Sequence, residues 1–172
     1  MPVETLAIRL AELVDPRLAV FILSLLPVVE PRYGVLIGVT LLDVGPIASL
    51  AASLAALAIL SMGLPWLVDY AISLLERLSS RIKVAEKLSR ILARIEASSA
   101  NRARRHVEQL KLIGLVIFVA VPLPMTGVYS GALAARALGF RGWKASLALF
   151  TGGAISIGLT LAPVLILSAT DN

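Results

Sequence analysis

The sequence predicts an all-α integral membrane protein built as two inverted repeats, each a re-entrant helical hairpin followed by a transmembrane helix. Three observations predict it. Hydrophobic residues make up 58% of the 172, and the mean hydropathy is +0.90, against about 45–50% apolar in soluble domains. Apolar runs recur twice in the order short, short, long. An eight-residue pattern also repeats at a constant spacing.

Residues 3–15 read as a short amphipathic helix. Val3, Leu6, Leu10 and Leu13 fall on one face, with Glu4, Arg9 and Glu12 elsewhere. Such a helix lies on a membrane surface rather than crossing it. Asp15-Pro16 marks a boundary. With Glu4, Glu12 and Asp15 and no basic n-region, no cleaved signal peptide is expected.

Two apolar runs follow, Leu18–Val29 and Tyr33–Leu42, of 12 and 10 residues. Each is short of the roughly 20 residues a spanning helix needs. Glu30-Pro31-Arg32 separates them, and Asp43-Val44-Gly45-Pro46 ends the second. Ile47–Val68 is then an uncharged run of 22 residues, long enough to cross. The second half repeats this grammar. Leu112–Val121 is short, residues 122–127 break it, Val128–Ala135 is short, and Ala145–Thr170 is a full uncharged span.

The breaks match in sequence. Residues 31–38 align with residues 124–131 at an offset of 93, and both read P-x-x-G-V-x-x-G. Duplications of this kind build many transporters.

Charge chooses the topology. Basic residues crowd 77–111, and Arg136, Arg141 and Lys144 precede the last span. If each short-break-short unit crossed the membrane, these groups would face opposite sides. If each unit is a re-entrant hairpin, they share one side, with 13 of the 16 basic residues cytoplasmic. The positive-inside rule favours hairpins, with both termini external and the two hairpin tips meeting near the midplane.

The expected parts are therefore residues 1–16, an interfacial helix; 17–76, a first repeat with hairpin 17–43 and transmembrane helix 47–70; 77–111, a basic cytoplasmic amphipathic helical segment; and 112–172, a second repeat with hairpin 112–138 and transmembrane helix 144–170. The net charge of +5 sits mostly in the central segment beside apolar spans. Anionic lipid is thus its expected partner, not nucleic acid. A thin bundle of two hairpins and two crossings implies a homodimer.

The stretch from Val119 to Ala135, V-A-V-P-L-P-M-T-G-V-Y-S-G-A-L-A-A, resembles the P-L-P-x-T-G-x-x-x-G-A-L-A-A signature of the small multidrug export family. Glu30-Pro31-Arg32 resembles that family's acidic-x-basic element. The resemblance runs from about Ala19 to the C-terminus. It departs at Pro31, where leucine is usual, and at Met125, where glycine is common. The family is similar to the wider DedA (VTT-domain) superfamily, associated with paired re-entrant hairpins. The resemblance implies a transporter or exporter, or a lipid scramblase or flippase acting on a phospholipid or a polyprenyl-phosphate carrier.

The expected substrate or proton site is Glu30, Arg32, Thr126 and Tyr129. Charge at membrane depth costs about 2.5–3.5 kcal/mol on insertion scales and demands a partner or a function. Burial lets a carboxyl such as Glu30 carry a proton, and a guanidinium such as Arg32 holds phosphate or carboxylate bidentately. A structural Glu30–Arg32 pair that merely fixes the loop is the plainer reading. Half-helices starting near Tyr33-Gly34 and Thr126-Gly127 would direct positive dipole ends at the site. Pro31, Gly34, Pro122, Pro124 and Gly127 shape the loops. Gly38 and Gly131 serve helix packing. The Ser130 hydroxyl reads as a bond to backbone freed by proline. Asp43, Arg136 and Asp69 read as boundary residues, and His106 as solvated. The chain has no cysteine and no visible Ser-His-Asp set, metal cluster or nucleotide loop. No enzyme activity, metal or cofactor is expected.

Overall fold

The computed structural model describes residues 3–78, 103–123 and 126–170. Within them lie seven helices and no strand: α1 (Val3–Leu13), α2 (Pro16–Ser24), α3 (Glu30–Thr40), α4 (Pro46–Leu78), α5 (Ala103–Ala120), α6 (Val128–Ala137) and α7 (Gly142–Thr170). Most of the basic amphipathic segment expected at 77–111 lies outside the described residues. So do Pro124 and Met125 of the second break.

Local chemistry explains the boundaries. Asp15 caps α2, its carboxylate accepting from the Arg17 N–H at 2.8 Å, and Pro16 fills the first turn. Proline fits there because that N–H has no helical partner. The same logic corrects the position of the first break. Glu30-Pro31-Arg32 does not interrupt a helix but begins α3, with Pro31 in its first turn. The break is Leu25–Val29, one turn earlier. The second half-helices start at Glu30, three residues before the expected Tyr33, and at Val128, next to the expected Thr126-Gly127. α5 begins at Ala103, so the expected 111/112 boundary falls inside a helix. α4 reaches Leu78, beyond the expected 70.

α1 packs on the protein through Ala7, beside the expected apolar face. Ala7 is fully buried, and Val3 and Leu10 pack with it against Leu23 and Val29, whereas Leu13 is 81% exposed. The backbone of α1 comes close to α2 through a small side chain that a stripe of large apolar residues does not reveal.

α4 and α7 are each long and apolar enough to cross a membrane, over Pro46–Leu74 and Gly142–Ser168. Only 39% and 33% of their apolar windows are buried within the protein. Ile59, Met62, Trp66 and Leu67 on α4, and Leu159, Ile166 and Leu167 on α7, face outward. A core helix of a soluble protein is buried all round; these present apolar surface that lipid suits.

The short helices are wedged around the long ones. α2 and α3 pack on α4, and α5 and α6 on α7. Contacts also cross between the halves: α3 meets α7, α6 meets α4, and α4 meets α7. The main core lies here, with Leu57, Leu115, Val119, Leu149 and Ile157. Glycines permit the approach. A Cβ on Gly38 would lie 2.5 Å from Ser49 Oγ of α4 and 2.8 Å from Val20 of α2. One on Gly131 would lie 2.5 Å from Val119 of α5 and 2.8 Å from Leu149 of α7. In each half, a glycine of the second short helix sits between the first short helix and the long one. Gly34 abuts Ser24 of α2 in the same way.

Ion pairs fix which helix ends are neighbours. Lys144 Nζ at the start of α7 lies 2.6 Å from Glu108 Oε1 near the start of α5. Arg136 Nε at the end of α6 lies 2.8 Å from Asp69 Oδ1 of α4, with Arg141 Nε at 3.9 Å. Elsewhere, the start of α2 (Asp15, Pro16, Arg17) and the start of α4 (Pro46, Ile47, Ala48) line one open cavity with Asp43.

Candidate functional site between the broken helices

Each short-helix pair leaves backbone groups without helical partners at its break: carbonyls at the end of the first helix, N–H groups at the start of the second. In the second half, the end of α5 and the start of α6 are answered by side chains of the first. Arg32 Nη2 donates to the Leu123 carbonyl at 2.9 Å, and Nη1 reaches the Val121 carbonyl at 3.5 Å. The Glu30 carboxylate lies against Gly127, where a Cβ would collide with both its oxygens. A cation thus sits at the negative end of α5 and an anion at the positive end of α6. Each placement contributes about 0.3–1 kcal/mol in exposed settings and more where water is excluded.

The two charges also meet each other. Glu30 Oε2 is 3.0 Å from Arg32 Nη2, and the residues are 8% and 4% exposed. The contact is an ion pair. Glu30 holds a left-handed backbone angle, φ 56°, uncommon for a residue with a side chain. Backbone strain of this kind clusters where the surroundings over-determine a residue. Arg32 also lies with its guanidinium carbon 5.0 Å from the centre of the Tyr33 ring.

The other expected site residues are placed as follows. Thr126 Oγ1 bonds to the carbonyls of Val121 at 2.6 Å and Leu123 at 2.8 Å, and lies 3.2 Å from the Leu123 N–H. It ties the loop around Pro122, which has no N–H to offer. The Tyr129 hydroxyl donates to the Leu25 carbonyl, across the halves. Ser130 donates to the Gly127 carbonyl at 3.1 Å. The geometry therefore brings together Glu30, Arg32, Gly127 and the Val121–Leu123 carbonyls, with Thr126 and Tyr129 fastening the loops beside them. Gly34, Gly38 and Gly131 lie between helices, away from the charges.

A model of the family described as "Putative small multi-drug export protein" matches residues 30–159. The chain belongs to that family. No curated protein and no solved structure matches it. The family match begins at Glu30 and runs into α7, so it takes in every residue of the charged contact and the loop around it. Membership makes the chain a small exporter-type membrane protein, in keeping with the outward apolar faces of α4 and α7.

Contacts beyond the reach of the sequence join different elements. Asp69, read from the sequence as a boundary residue, also pairs with Arg136. The 93-residue offset pairs Arg136 with Asp43 instead, because an offset relates equivalent positions and not neighbours. Ser24 and Ser53, both buried, place their hydroxyl oxygens 3.3 Å apart between α2 and α4. Ser156 of α7 lines a small cavity with Glu30, Arg32 and Gly127. No local motif signals a serine within an apolar span as part of such a set.

Proposed function

We propose that this member of the export family is a proton-coupled exporter made of two inverted repeats, with its transport site at the meeting of two re-entrant hairpin tips near the midplane. The observation that carries the reading is the buried Glu30–Arg32 pair set across the break between α5 and α6. Removing water from two charges costs several kcal/mol per ion, offset only by good geometry and added hydrogen bonds. Here both charges serve helix ends of the other half, so the protonation state of one carboxyl acts on the contact between halves. A proton on Glu30 removes the anion at the α6 start and loosens the hold on Arg32. The halves then have reason to part on one side and close on the other.

The neighbouring helix ends support the hairpins. Lys144 beside Glu108 sets the start of α5 next to the start of α7. A first helix that enters and a second that returns produces this; a single complete crossing by residues 103–137 does not. The cavity shared by the starts of α2 and α4 supports the same course in the first half. With hairpins, Asp69, Arg136, Arg141 and Lys144 gather on the side of the basic segment, which the positive-inside rule makes cytoplasmic. The wider superfamily resemblance implies the same architecture.

The test is efflux of ethidium from proteoliposomes with and without an imposed pH gradient. Wild-type protein should respond to the gradient, and Glu30→Gln should lose that response. Gradient dependence unchanged in Glu30→Gln would sink the coupling. Gradient-independent movement of a fluorescent phosphatidylglycerol, with no ethidium efflux, would favour a lipid scramblase in its place.

A further inference from the structure

The cavity beside the charged contact is lined by Glu30, Pro31, Arg32, Val119, Gly127, Val128, Gly153 and Ser156, of which only Glu30, Arg32 and Ser156 bring polar side chains. Its volume is about 10 Å³, the scale of one water molecule. Three buried polar atoms belong to these residues and have no hydrogen-bond partner: Glu30 Oε2, Arg32 Nε and Ser156 Oγ. Ser156 is 3% exposed. Buried polar atoms are paired in all but a few cases, and an isolated water needs two to four polar partners. The cavity offers one acceptor, one donor, and a hydroxyl able to act as either.

We propose that this cavity is a built site for a single water, and that Ser156 is a positioning residue that acts through that water on the Glu30–Arg32 pair. Arg32 Nε donates to the water, the water donates to Glu30 Oε2, and its remaining proton goes to Ser156 Oγ. Arg32 Nε and Ser156 Oγ thereby gain partners, and Glu30 Oε2, already ion-paired with Arg32 Nη2, gains a hydrogen bond. Glu30 and Arg32 stand on α3, Gly127 at the start of α6 and Ser156 on α7, so the water couples the ion pair to a membrane-crossing helix. The charged or titratable groups facing the Glu30 carboxylate among the described residues are Arg32, on its own helix, and Tyr129 on α6. None stands on the α7 side, where the Ser156 hydroxyl takes that place.

The inference rests on Glu30 being the protonatable group, and its test follows the carboxyl without any transport step. Infrared difference spectra of the detergent-solubilised protein, taken across a pH step, identify the Glu30 carboxyl band by its loss in Glu30→Gln. The expected result is a water O–H band that shifts in H2(18)O, present in wild type and absent in Ser156→Val, whose side chain fills the cavity. The Glu30 titration midpoint should rise in that variant, because a hydrogen bond to the charged form is lost. Ser156→Thr keeps the hydroxyl and should keep the band. Should Ser156→Val fail to fold, Ser156→Ala, which adds no bulk, should shift the band. No isotope-sensitive band in wild type, or the same band in Ser156→Val, overturns the water site while leaving export untouched. No Glu30 band at any pH overturns the coupling reading and this inference together.

Discussion

Gly127 owes its place to the Glu30 carboxylate and not to its own backbone. Its φ and ψ, −84° and −166°, are extended and open to any residue, but a methyl group there would occupy the position of the carboxylate. Gly127→Ala is expected to displace Glu30 and to reduce gradient-driven efflux to the level of Glu30→Gln, measured in the same proteoliposomes. Arg32 makes a second residue-scale case. Arg32→Met leaves Glu30 buried without its cation, a class of change that costs about 3–5 kcal/mol. Detergent-solubilised Arg32→Met should therefore unfold at markedly lower denaturant than wild type, and the double variant with Glu30→Gln should recover much of the loss. Equal stability of the single and double variants would mean that the pair is not energetically coupled.

Among elements, small residues set how closely helices pack. Gly131 touches Val119 of α5 and Leu149 of α7 at once, so Gly131→Val overfills a three-helix contact. Overpacking of this kind costs about 1–3 kcal/mol, readable as a lower unfolding midpoint. The Glu108–Lys144 pair joins α5 to α7 at the surface, and the Lys144 ammonium holds the Glu108 carboxyl below its usual range. A depressed carboxyl contributes above its unfolded value and loses that contribution as pH falls through its folded one. Thermal midpoints should thus decline on the acid side, and Glu108→Gln should flatten that part of the decline. A profile identical to wild type would mean that the pair contributes nothing.

The order of these elements could be read from the chain, because hydropathy and proline report directly on helix length. Both long helices, both short pairs and the charged Glu30–Arg32 contact follow from that grammar. Break positions were less accessible. Pro31 is equally compatible with ending a helix and with starting one, and only the turn at 25–29 decides. Pairings such as Asp69–Arg136 join residues far apart in sequence, and Ser156 carries no local signal at all. The 93-residue offset carries α4 onto 139–171, close to α7, but carries the start of α3 five residues ahead of the start of α6. The expected duplication would thus be more regular in the long helices than at the tips, where Glu30 and Arg32 of one half meet the backbone of the other.

For the whole molecule, the account requires that the two halves enter from opposite sides. It also leaves wide apolar faces on α4 and α7, broader than a thin monomeric bundle covers, and on that ground a homodimer is expected in the membrane. Crosslinking in mild detergent should give a dimer band, and a monomer alone would count against it. Insertion itself is tested most directly by single-cysteine labelling, since the chain contains no cysteine of its own. Cysteines placed at positions 43, 108 and 141 would be exposed in intact cells to a reagent that does not cross membranes. The account predicts labelling at 43 from outside, and at 108 and 141 only after the membrane is opened. Labelling of 108 and 141 from opposite sides would mean that residues 103–137 cross completely, and would contradict it.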